Sequence, residues 1–409
     1  MKILIIPWNV YPENAGGAGK SIYYTAQGLA KLPQVSAVHI LTSTRGKTRT
    51  ERQGKLFIER YKDLNINFIT GSVSFRFEDI KRKLNHLKIY KNWEKKIKKK
   101  YNQFKPDIIH CNDPFSLRRV RKTLKNINTP IIVSIRGYWA CSSSGNMLDN
   151  KKRIIENWTL KDTLKTNYLR APINLYKLYK NKLNLKNVDG IHFVSEYTKN
   201  KTEEHVNLSL ARKVIMNPRP SQKIKKNKKR DSKTIAYVGE LTYKKGLSKL
   251  IDALEILIKA GKDYKLLVAG KGTMEKRFKK SVEEKGLSNY VNFLGWVDNP
   301  DIVYKQAVIT VVPSLFPEPL GSTSEPMGHG SIPLVSNVRG LPEGIPTKEL
   351  MVDVRNPEKL ANKIEEIMEN PSKQEKIKKT FKSWLKRFNM ENVAKQFLSF
   401  YEEVIHNQK

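Results

Sequence analysis

VVPSLFPEPLGSTSEPMGHGSIPLVSNVRG, residues 311–340, is the stretch that decides the fold. It begins with a β-branched run that Pro313 ends, and a second apolar run follows at 332–335, so two strands are predicted. Between them we predict a loop and a helix start in which two carboxylates stand among small residues. These residues are Glu318, Gly321, Ser322, Thr323 and Glu325.

The residues between the two strands indicate a ligand site. Free backbone N–H groups and the helix dipole at a helix N-terminus favour a phosphate. The carboxylates suit ligand hydroxyls instead, and a sugar nucleotide carries both kinds of group. A surface loop that merely caps a helix accounts for the same composition equally well.

Strand and helix alternate through both halves of the chain. The first half opens with an apolar strand, a loop that contains Gly16 and Gly17, and an amphipathic helix over 21–32. The loop is neither GxGxxG nor a complete P-loop, so it is a weak nucleotide fingerprint. A strand at 234–238 restarts the alternation. We therefore predict an α/β protein with two Rossmann-like, doubly wound parallel-sheet domains facing across a cleft.

The same patterns predict where the domains begin and end. The N-terminal domain is expected over 1–216 and the C-terminal domain over 233–375. Residues 217–232 contain two prolines and a run of lysines, which indicates a linker. One long helix is predicted over 374–406, and we expect 376–409 to pack back on the N-terminal domain.

Polar residues follow two predicted strands of the first domain. His110, Asn112 and Asp113 come at the end of one strand, and Arg136 comes at the end of another. The carboxyl ends of parallel strands share the edge where doubly wound folds bind ligands. A lone histidine there is more often structural than catalytic, whereas Arg136 is a better candidate for binding an anion.

The composition limits the class of protein. With 409 residues, 39% of them hydrophobic, the chain has room for two or three domains with real cores. Its net charge of +38 favours anionic partners, which include nucleic acid, an acidic membrane face and phosphorylated substrates. A lysine-rich proteome that places Lys on every solvated surface is the alternative explanation. The chain has two cysteines and no CxxC or Cys/His spacing, so neither a zinc site nor a disulfide framework is expected.

Two basic, aromatic helical regions, 84–104 and 153–187, bear on localisation. An interfacial membrane helix has this pattern, and so does a core-facing helix with a lysine-rich outer face. The apolar run at the N-terminus is too short for a signal peptide, and no stretch approaches the ~18 apolar residues of a membrane span. We expect a cytoplasmic protein that can bind peripherally at the inner face of the cell membrane.

Seven motifs in order resemble those of the family 4 glycosyltransferases, which have the GT-B fold. They are MKILIIPW…YPENAGGAGKS, PDIIHCNDP, VSIRGYW, AYVGELTYKKG, LLVAGKG, NFLGWV and PSLFPEPLGSTSEPMGHGSIPLVSN. Each is weak alone, but their joint order over nearly the whole chain is specific. The resemblance implies retaining, metal-independent transfer from a nucleotide-diphosphate sugar, without a cofactor. The chain contains no DxD triplet, the metal-binding mark of the other large transferase fold.

The resemblance also implies roles in the deciding stretch. Glu318 matches the family's first paired glutamate, at the donor sugar hydroxyls, and Glu325 matches the second, at the ribose. Six residues separate them where the family usually has seven, so Glu325 is the safer assignment. Lys245 of the KKG motif is expected at the diphosphate. The N–H groups that would assist it belong to Gly321, Ser322 and Thr323.

The remaining assignments come from other motifs. Gly16 and Gly17 would let the first loop approach the phosphate and the acceptor. The segment from Gly295 to Val297 would meet the nucleobase.

Two further positions depart from the family pattern. Glu240 stands where the family often has an arginine, so Lys244 or Arg339 would supply the missing charge. Arg136 stands where the family often has a histidine near the reacting sugar, and we assign it to the catalytic set.

The leading hypothesis is a retaining hexosyltransferase acting on a glycan or a lipid-phosphate-linked acceptor in cell-surface polysaccharide or glycolipid biosynthesis. A catalytically inactive GT-B-like binding or scaffold protein is the alternative. Nucleic-acid binding lacks any recognition motif, so no nucleic-acid partner is expected.

Overall fold

The computed structural model describes residues 1–13, 17–62, 78–138, 140, 171–219, 231–316 and 323–408. The chain divides into two compact units. Unit 1 consists of Met1–Pro220 and Met390–Lys409, and unit 2 consists of Ser221–Asn389. Each unit is built on one mainly parallel sheet flanked by helices, which confirms the predicted two-domain α/β architecture.

Unit 1 is built on an eight-stranded sheet. Its strands are β1 (Lys2–Ile6), β2 (Ala37–Ser43), β3 (Arg49–Gln53), β4 (Leu56–Tyr61), β5 (Ile108–Cys111), β6 (Ile131–Ile135), β7 (Gly190–Phe193) and β8 (Ala211–Val214). The spatial order is β3-β4-β2-β1-β5-β6-β7-β8. All neighbouring strands are parallel except β3 and β4, which pair antiparallel at the edge.

Two layers of helices cover the unit 1 sheet. Among the described residues of its first segment, the helices are α1 (Gly17–Lys31), α2 (Glu78–Phe104), α3 (Pro114–Thr123), α4 (Ala171–Lys186) and α5 (Glu196–Glu203). Successive strand residues point to opposite faces of a sheet. Leu4 therefore packs with Trp93 of α2 and Leu117 of α3, whereas Ile3 packs with Ile22 of α1.

Unit 2 is built on a six-stranded parallel sheet with the order β11-β10-β9-β12-β13-β14. Its strands are β9 (Thr234–Val238), β10 (Lys265–Ala269), β11 (Val291–Gly295), β12 (Ile309–Val312), β13 (Ile332–Ser336) and β14 (Met351–Val352). Its helices are α6 (Leu247–Lys259), α7 (Glu275–Glu284), α8 (Asp301–Gln306), α9 (Ser324–Gly328), α10 (Pro357–Met368) and α11 (Pro371–Leu385). The two strands predicted from the deciding stretch are β12 and β13, which pair in parallel from Ile309 and Ile332 onward.

The prediction of one helix over 374–406 is wrong. The structure has α11, a short turn, and then α12 (Met390–His406). Helix α11 remains in unit 2, because its Phe381 is buried in the core of that unit. Only α12 packs on unit 1, where Tyr401 is fully buried beside the α1 core. The chain therefore returns to unit 1 at Met390 and not at residue 376.

Some sequence predictions fall outside the described residues. Most of the predicted linker 217–232 does so, and its boundaries stay a prediction. The described part of the basic region 153–187 forms α4. Its Pro172 lies in the first turn, where the missing N–H removes no helical hydrogen bond.

Candidate functional site

The carboxyl ends of the unit 2 strands form an edge of loops that backbone hydrogen bonds tie together. Gly239 N, after β9, donates to Ala269 O at 3.0 Å, and Gly270 N, after β10, donates to Gly295 O at 2.7 Å. Because the strands are parallel, these loops share the edge where doubly wound folds bind ligands. The edge thus joins segments that are far apart in sequence.

The two lysines of the KKG motif lie on a turn that is locked to the deciding stretch. Tyr243–Lys245 forms a single 3-10 turn, which Gly246 ends with a φ of +68°. A Cβ at Gly246 would lie 1.9 Å from Pro313 O, so only glycine permits this approach. Leu315 N also donates to Lys244 O at 2.9 Å. The structure therefore holds the KKG turn against the loop after β12.

Lys244 lies beside the carboxylate that replaces the family's arginine. Its Nζ is 3.9 Å from Oε2 of Glu240, and both side chains are partly exposed. An exposed pair at this distance contributes little stability. Its consequence is electrostatic, because Lys244 offsets the charge that Glu240 adds to the edge. Arg339, the other candidate for the missing charge, is exposed after β13.

Glu325 lies in the first turn of α9 and is held by a tyrosine that sequence analysis missed. The hydroxyl of Tyr304, on α8, donates to Oε2 of Glu325 at 2.9 Å. The ring of Tyr304 is buried and stacks on His329, with centroids 5.9 Å apart. Nε2 of His329 lies 3.0 Å from a carboxylate oxygen of Asp301. The only sequence signal for Tyr304 is its place in a short amphipathic helix before β12.

Helix α9, which begins at the helix start predicted from the deciding stretch, is short. It spans five residues, Ser324–Gly328, and the buried Thr323 precedes it. A macrodipole grows with the number of aligned peptide units, so α9 offers less field than a full helix. The dipole of α9 is therefore a weaker basis for the predicted phosphate site than the lysines of the KKG turn.

In the segment that follows β11, one side chain points into the protein and another points to solvent. Gly295 ends the strand with a φ of +67°. Val297 packs against the small core formed around Ala236 and Val303, so its side chain faces the protein. Trp296 is 67% exposed, and its Nε1 donates to Asp298 at 2.9 Å. Trp296, which sequence analysis did not single out, therefore leaves a flat apolar face exposed at the end of β11.

Four of the predicted site residues lie outside the described residues. They are Gly16, Glu318, Gly321 and Ser322. Their assignments, including the role of Glu318, stay predictions.

In unit 1, Arg136 follows β6 and is held by three neutral side chains. Its Nε donates to Asn112 Oδ1 at 3.2 Å, and its Nη1 donates to Asn217 Oδ1 at 2.6 Å and to Ser21 Oγ at 3.3 Å. Burial lowers the pKa of Arg136 to about 10, so the guanidinium stays charged at neutral pH. Arg136 thus lies at the carboxyl edge of the sheet, as predicted, and the structure places it beside Ser21 of α1.

The chain that leads into the glycine-rich loop is anchored by a buried arginine that sequence analysis also missed. Arg60, on β4, is fully buried and donates to the carbonyls of Val10 at 2.9 Å and Tyr11 at 2.6 Å. Its Nε donates to Glu51 at 2.8 Å, which neutralises the charge. Gly17 opens α1 on the other side of the loop, and a Cβ there would meet nothing within 4 Å. Arg60 therefore fixes the chain before the loop, and Gly17, after the loop, is exposed.

His110 belongs to a buried hydrogen-bonded chain. His192 Nε2 lies 2.8 Å from Ile215 O, His192 Nδ1 lies 2.8 Å from Ser134 Oγ, and Ser134 Oγ lies 2.7 Å from His110 Nε2. His110 Nδ1 lies 2.8 Å from the hydroxyl of Tyr401 on α12. Because a carbonyl only accepts, His192 must carry its proton on Nε2. Ser134 then donates to His192, His110 donates to Ser134, and Tyr401 donates to His110.

This proton order requires both imidazoles to be neutral. Burial lowers the pKa of His110 well below its usual range, and burial and Arg136 lower the pKa of His192 to about 3. His110 is therefore structural and joins the unit 1 sheet to α12. Asp113 is structural as well, because it caps α3 by accepting from Ser116 N at 2.7 Å.

Two family models match this chain. The model described as glycosyl transferases group 1 matches residues 218–384, and the model described as glycosyltransferase family 4 matches residues 15–218. Together they span both units and every motif of the edge loops. The chain belongs to the family 4 glycosyltransferases.

One relative of this glycosyltransferase aligns over nearly its full length, and a second aligns over less than half of it. An uncharacterized glycosyltransferase of Methanocaldococcus jannaschii is 27% identical over an alignment of 413 residues, which covers 98% of each chain. The 2-deoxystreptamine glucosyltransferase of Streptomyces kanamyceticus is 27% identical over 180 residues, 43% of this chain and 46% of that one.

Solved structures show that the glycosyltransferase has the GT-B fold. Sucrose-phosphate synthase from Thermosynechococcus elongatus superposes with a TM-score of 0.73 over 100% of both chains at 18% identity. Anabaena HepE, solved in complex with UDP-glucose, superposes with a TM-score of 0.66 over 98% of this chain and 100% of that one at 14% identity. At these identities the likeness establishes the fold.

Proposed function

We propose that this glycosyltransferase moves a hexose from a nucleotide-diphosphate sugar to a glycan or lipid-linked acceptor, with retention at the anomeric carbon, in cell-surface polysaccharide or glycolipid biosynthesis. The observation that carries the donor site is the contact of Gly246 with Pro313, which sets the Lys244–Lys245 turn against the loop after β12. Retention and the setting follow from the family resemblance. HepE, which shares the fold, was solved with UDP-glucose, and this supports a nucleotide-sugar donor.

In the proposed donor site, some residues stabilise the charge of the diphosphate and others bind the hydroxyls of the ribose. Departure of the nucleoside diphosphate develops negative charge on the leaving phosphate, which preorganised cations and N–H groups stabilise. Lys245, assisted by Lys244, takes this role, so we propose that no metal ion is needed. Glu325, oriented by Tyr304, accepts from ribose hydroxyls. Trp296 offers its exposed face to the nucleobase.

Turnover with membrane extract as the acceptor source tests this proposal. Radiolabelled nucleotide sugars are supplied with wild type, with Lys245→Ala, and with Lys249→Ala as the control. Lys249 is a partly exposed lysine on α6 that pairs with Asp252 at 3.9 Å. We expect at least a tenfold loss of turnover for Lys245→Ala and little change for Lys249→Ala. Equal turnover by all three proteins would overturn the site.

A binding assay with nucleoside diphosphates distinguishes an active glycosyltransferase from a non-catalytic scaffold protein. Titration calorimetry with UDP, GDP and ADP should give binding of one of them by wild type and at least tenfold weaker binding by Lys245→Ala. If wild type binds none of them, the donor site is wrong and a non-catalytic GT-B-like protein becomes the better hypothesis.

The charge of unit 1 supports an anionic membrane surface as a further partner. Helices α2, α3 and α4 lie on one face of the sheet and together carry eighteen Lys and Arg against three Asp and Glu. On the other face, α1 and α12 carry three of each kind. If the basic charge reflected only a proteome-wide excess of lysine, both faces of the sheet would carry a similar excess of basic residues. We therefore propose that the α2–α4 face binds anionic lipid at the inner face of the cell membrane.

Two tyrosines on α4 fit the same interpretation. Tyr176 and Tyr179 are 60% and 61% exposed, and Nζ of Lys180 lies 5.6 Å from the ring centroid of Tyr176. Tyrosines beside lysines are typical of interfacial helices, where the ring enters the headgroup region. Among the described residues, no helix combines the length and apolar character needed to cross a membrane.

Vesicle sedimentation tests the membrane surface. We expect wild type to bind vesicles that contain phosphatidylglycerol and not vesicles of phosphatidylcholine alone. Replacing the exposed Lys91, Lys95 and Lys98 on α2 by Gln should weaken binding severalfold. The control replaces three exposed lysines on α11, at 376, 379 and 382. Equal loss in both triple variants would indicate net charge alone and would contradict a specific face.

A further inference from the structure

The loop after β10 is packed so closely on the loop after β9 that the backbone of Lys271 is fixed. Lys271 stands between Gly270 and Gly272. A Cβ at Gly270 would lie 1.8 Å from Gly239 O, and a Cβ at Gly272 would lie 2.3 Å from Leu241 O. Leu241 N also donates to Lys271 O at 3.0 Å. The side chain of Lys271 therefore starts from a defined point on the carboxyl edge of the unit 2 sheet.

That side chain reaches the start of the loop after β11. A Cβ built on Gly295 would lie 3.8 Å from Cε of Lys271, which is an ordinary van der Waals distance. Gly270 N donates to Gly295 O at 2.7 Å, so the two loops are joined. Trp296 follows Gly295 and is 67% exposed. The ammonium group of Lys271, one bond beyond Cε, and the apolar face of Trp296 are therefore neighbours on the edge.

The ammonium group of Lys271 is not held by the protein. Within the described range 231–316, which includes the loops on both sides, no hydrogen bond or ion pair engages its Nζ. Each flanking loop contains one carboxylate, and each of these has another partner. Glu240 lies 3.9 Å from Nζ of Lys244, and Asp298 accepts from Trp296 Nε1 at 2.9 Å. Lys271 therefore offers free donors beside an exposed aromatic face.

We propose that Lys271 selects the nucleobase of the donor by donating a hydrogen bond to a carbonyl oxygen of uracil or guanine. The proposal rests on the proposed donor site, in which the base lies on Trp296. Stacking on an aromatic ring accepts any base, because every base has a π-face. A polar group at the edge of the base is needed to tell one base from another.

The chemistry of an ammonium group decides which bases it favours. It has three donors and no acceptor. Guanine presents O6 and N7 as acceptors, and uracil presents carbonyl oxygens, whereas adenine carries a donating amino group where guanine carries O6. A site that hydrogen-bonds one ligand group discriminates against an analogue that lacks it. Lys271 should therefore favour UDP or GDP over ADP.

Calorimetric titration with UDP, GDP and ADP tests this selectivity. The three ligands share ribose and diphosphate, so a difference between their affinities comes from the base. We expect wild type to bind UDP or GDP at least about fivefold more tightly than ADP. Preference for UDP assigns uracil to the site, and preference for GDP assigns guanine.

Variants locate the selectivity at Lys271. Lys271→Ala should weaken binding of the preferred diphosphate about fivefold and leave ADP binding nearly unchanged, so that the preference is lost. Trp296→Ala should weaken all three ligands alike and keep the preference. Lys265→Ala is the matched control, because it removes the same charge from an exposed position at the amino end of β10. It should leave all three affinities unchanged.

Three outcomes would overturn the proposal while the donor site stands. They are a wild type that binds ADP as tightly as UDP and GDP, an unchanged preference in Lys271→Ala, and an equal loss of all three affinities in that variant. The last result would place the ammonium group at the diphosphate. Failure of the donor site itself shows separately, because wild type would then bind none of the three ligands.

Discussion

The hydroxyl of Tyr304 donates a 2.9 Å hydrogen bond to Oε2 of Glu325. Tyr304 is buried on α8, and Glu325 stands in the first turn of α9, so a rigid ring fixes one carboxylate oxygen. A carboxylate held in this way keeps its direction at the sheet edge without the cost of ordering it when a ligand binds.

Tyr304→Phe should therefore weaken nucleoside diphosphate binding by up to about tenfold, or roughly 1.4 kcal/mol. Tyr264→Phe is a matched control, because Tyr264 also donates to a glutamate of unit 2, Glu369, away from the site. Titration calorimetry should show a loss only for Tyr304→Phe. A similar loss in both variants would mean that the effect is one of general stability.

Gly246→Ala should abolish diphosphate binding and destabilise unit 2. The added Cβ would lie 1.9 Å from Pro313 O, which forces the KKG turn away from the loop after β12. Gly286 has a similar φ, +69°, but a Cβ there meets nothing within 4 Å. Gly286→Ala should therefore cost only the left-handed backbone penalty, about 1–2 kcal/mol, and leave binding intact. If Gly246→Ala and Gly286→Ala had equal effects on thermal unfolding and on diphosphate binding, the contact between the KKG turn and Pro313 would not be what supports binding.

Substitutions in the buried hydrogen-bonded chain that joins the unit 1 sheet to α12 should show graded losses of stability. Tyr401→Phe leaves one acceptor, His110 Nδ1, unsatisfied and should cost about 1–3 kcal/mol. Ser134→Ala breaks two hydrogen bonds in the middle of the chain and should cost more. Urea unfolding measures both. If Tyr401→Phe proves the costlier change, the bridging position of Ser134 between the two histidines is wrong.

Acid should destabilise the protein through His192. Its pKa is about 3 in the folded state, against about 6.5 unfolded, because burial and then Arg136 disfavour the charged ring. Between these values the unfolded chain binds a proton that the folded chain does not, so stability falls as the pH falls through this window. Between pH 6.5 and 5 the loss of stability from this residue is about 1.6 kcal/mol.

The variant His192→Gln isolates that contribution. It should be less stable than wild type at pH 7, because it disturbs the bonds to Ser134 and Ile215. Its stability should also fall less steeply between pH 6.5 and 5. Parallel slopes for both proteins in urea unfolding would show that His192 is not the titrating group.

Local pattern was enough to predict much of the molecule. The alternation of apolar strands with amphipathic helices predicted two parallel α/β sheets, because buried parallel strands read as continuous apolar runs. The deciding stretch predicted β12 and β13, and the KKG motif predicted the lysines that the structure places against it. Arg136 was predicted at a strand end and lies there, next to Ser21.

The positions that sequence analysis missed are those whose role depends on a partner far along the chain. Tyr304 became a site residue only because α8 brings it to Glu325, twenty-one positions away. Arg60 anchors Val10 across fifty positions. The break between α11 and α12 was missed because both helices carry aromatic residues at helical spacing, and periodicity cannot tell which core each one enters.

The sequence by itself therefore determined the fold, the family and the order of the motifs, since these follow from periodicity and from residues that are neighbours in the chain. Only the tertiary structure decided which charges are neutralised. Arg60, on β4, lies against Glu51, whereas Arg136, just after β6, lies against three neutral side chains. Neutralisation depends on distances of a few ångströms between distant segments, because Coulomb interactions and desolvation act through space and not along the chain.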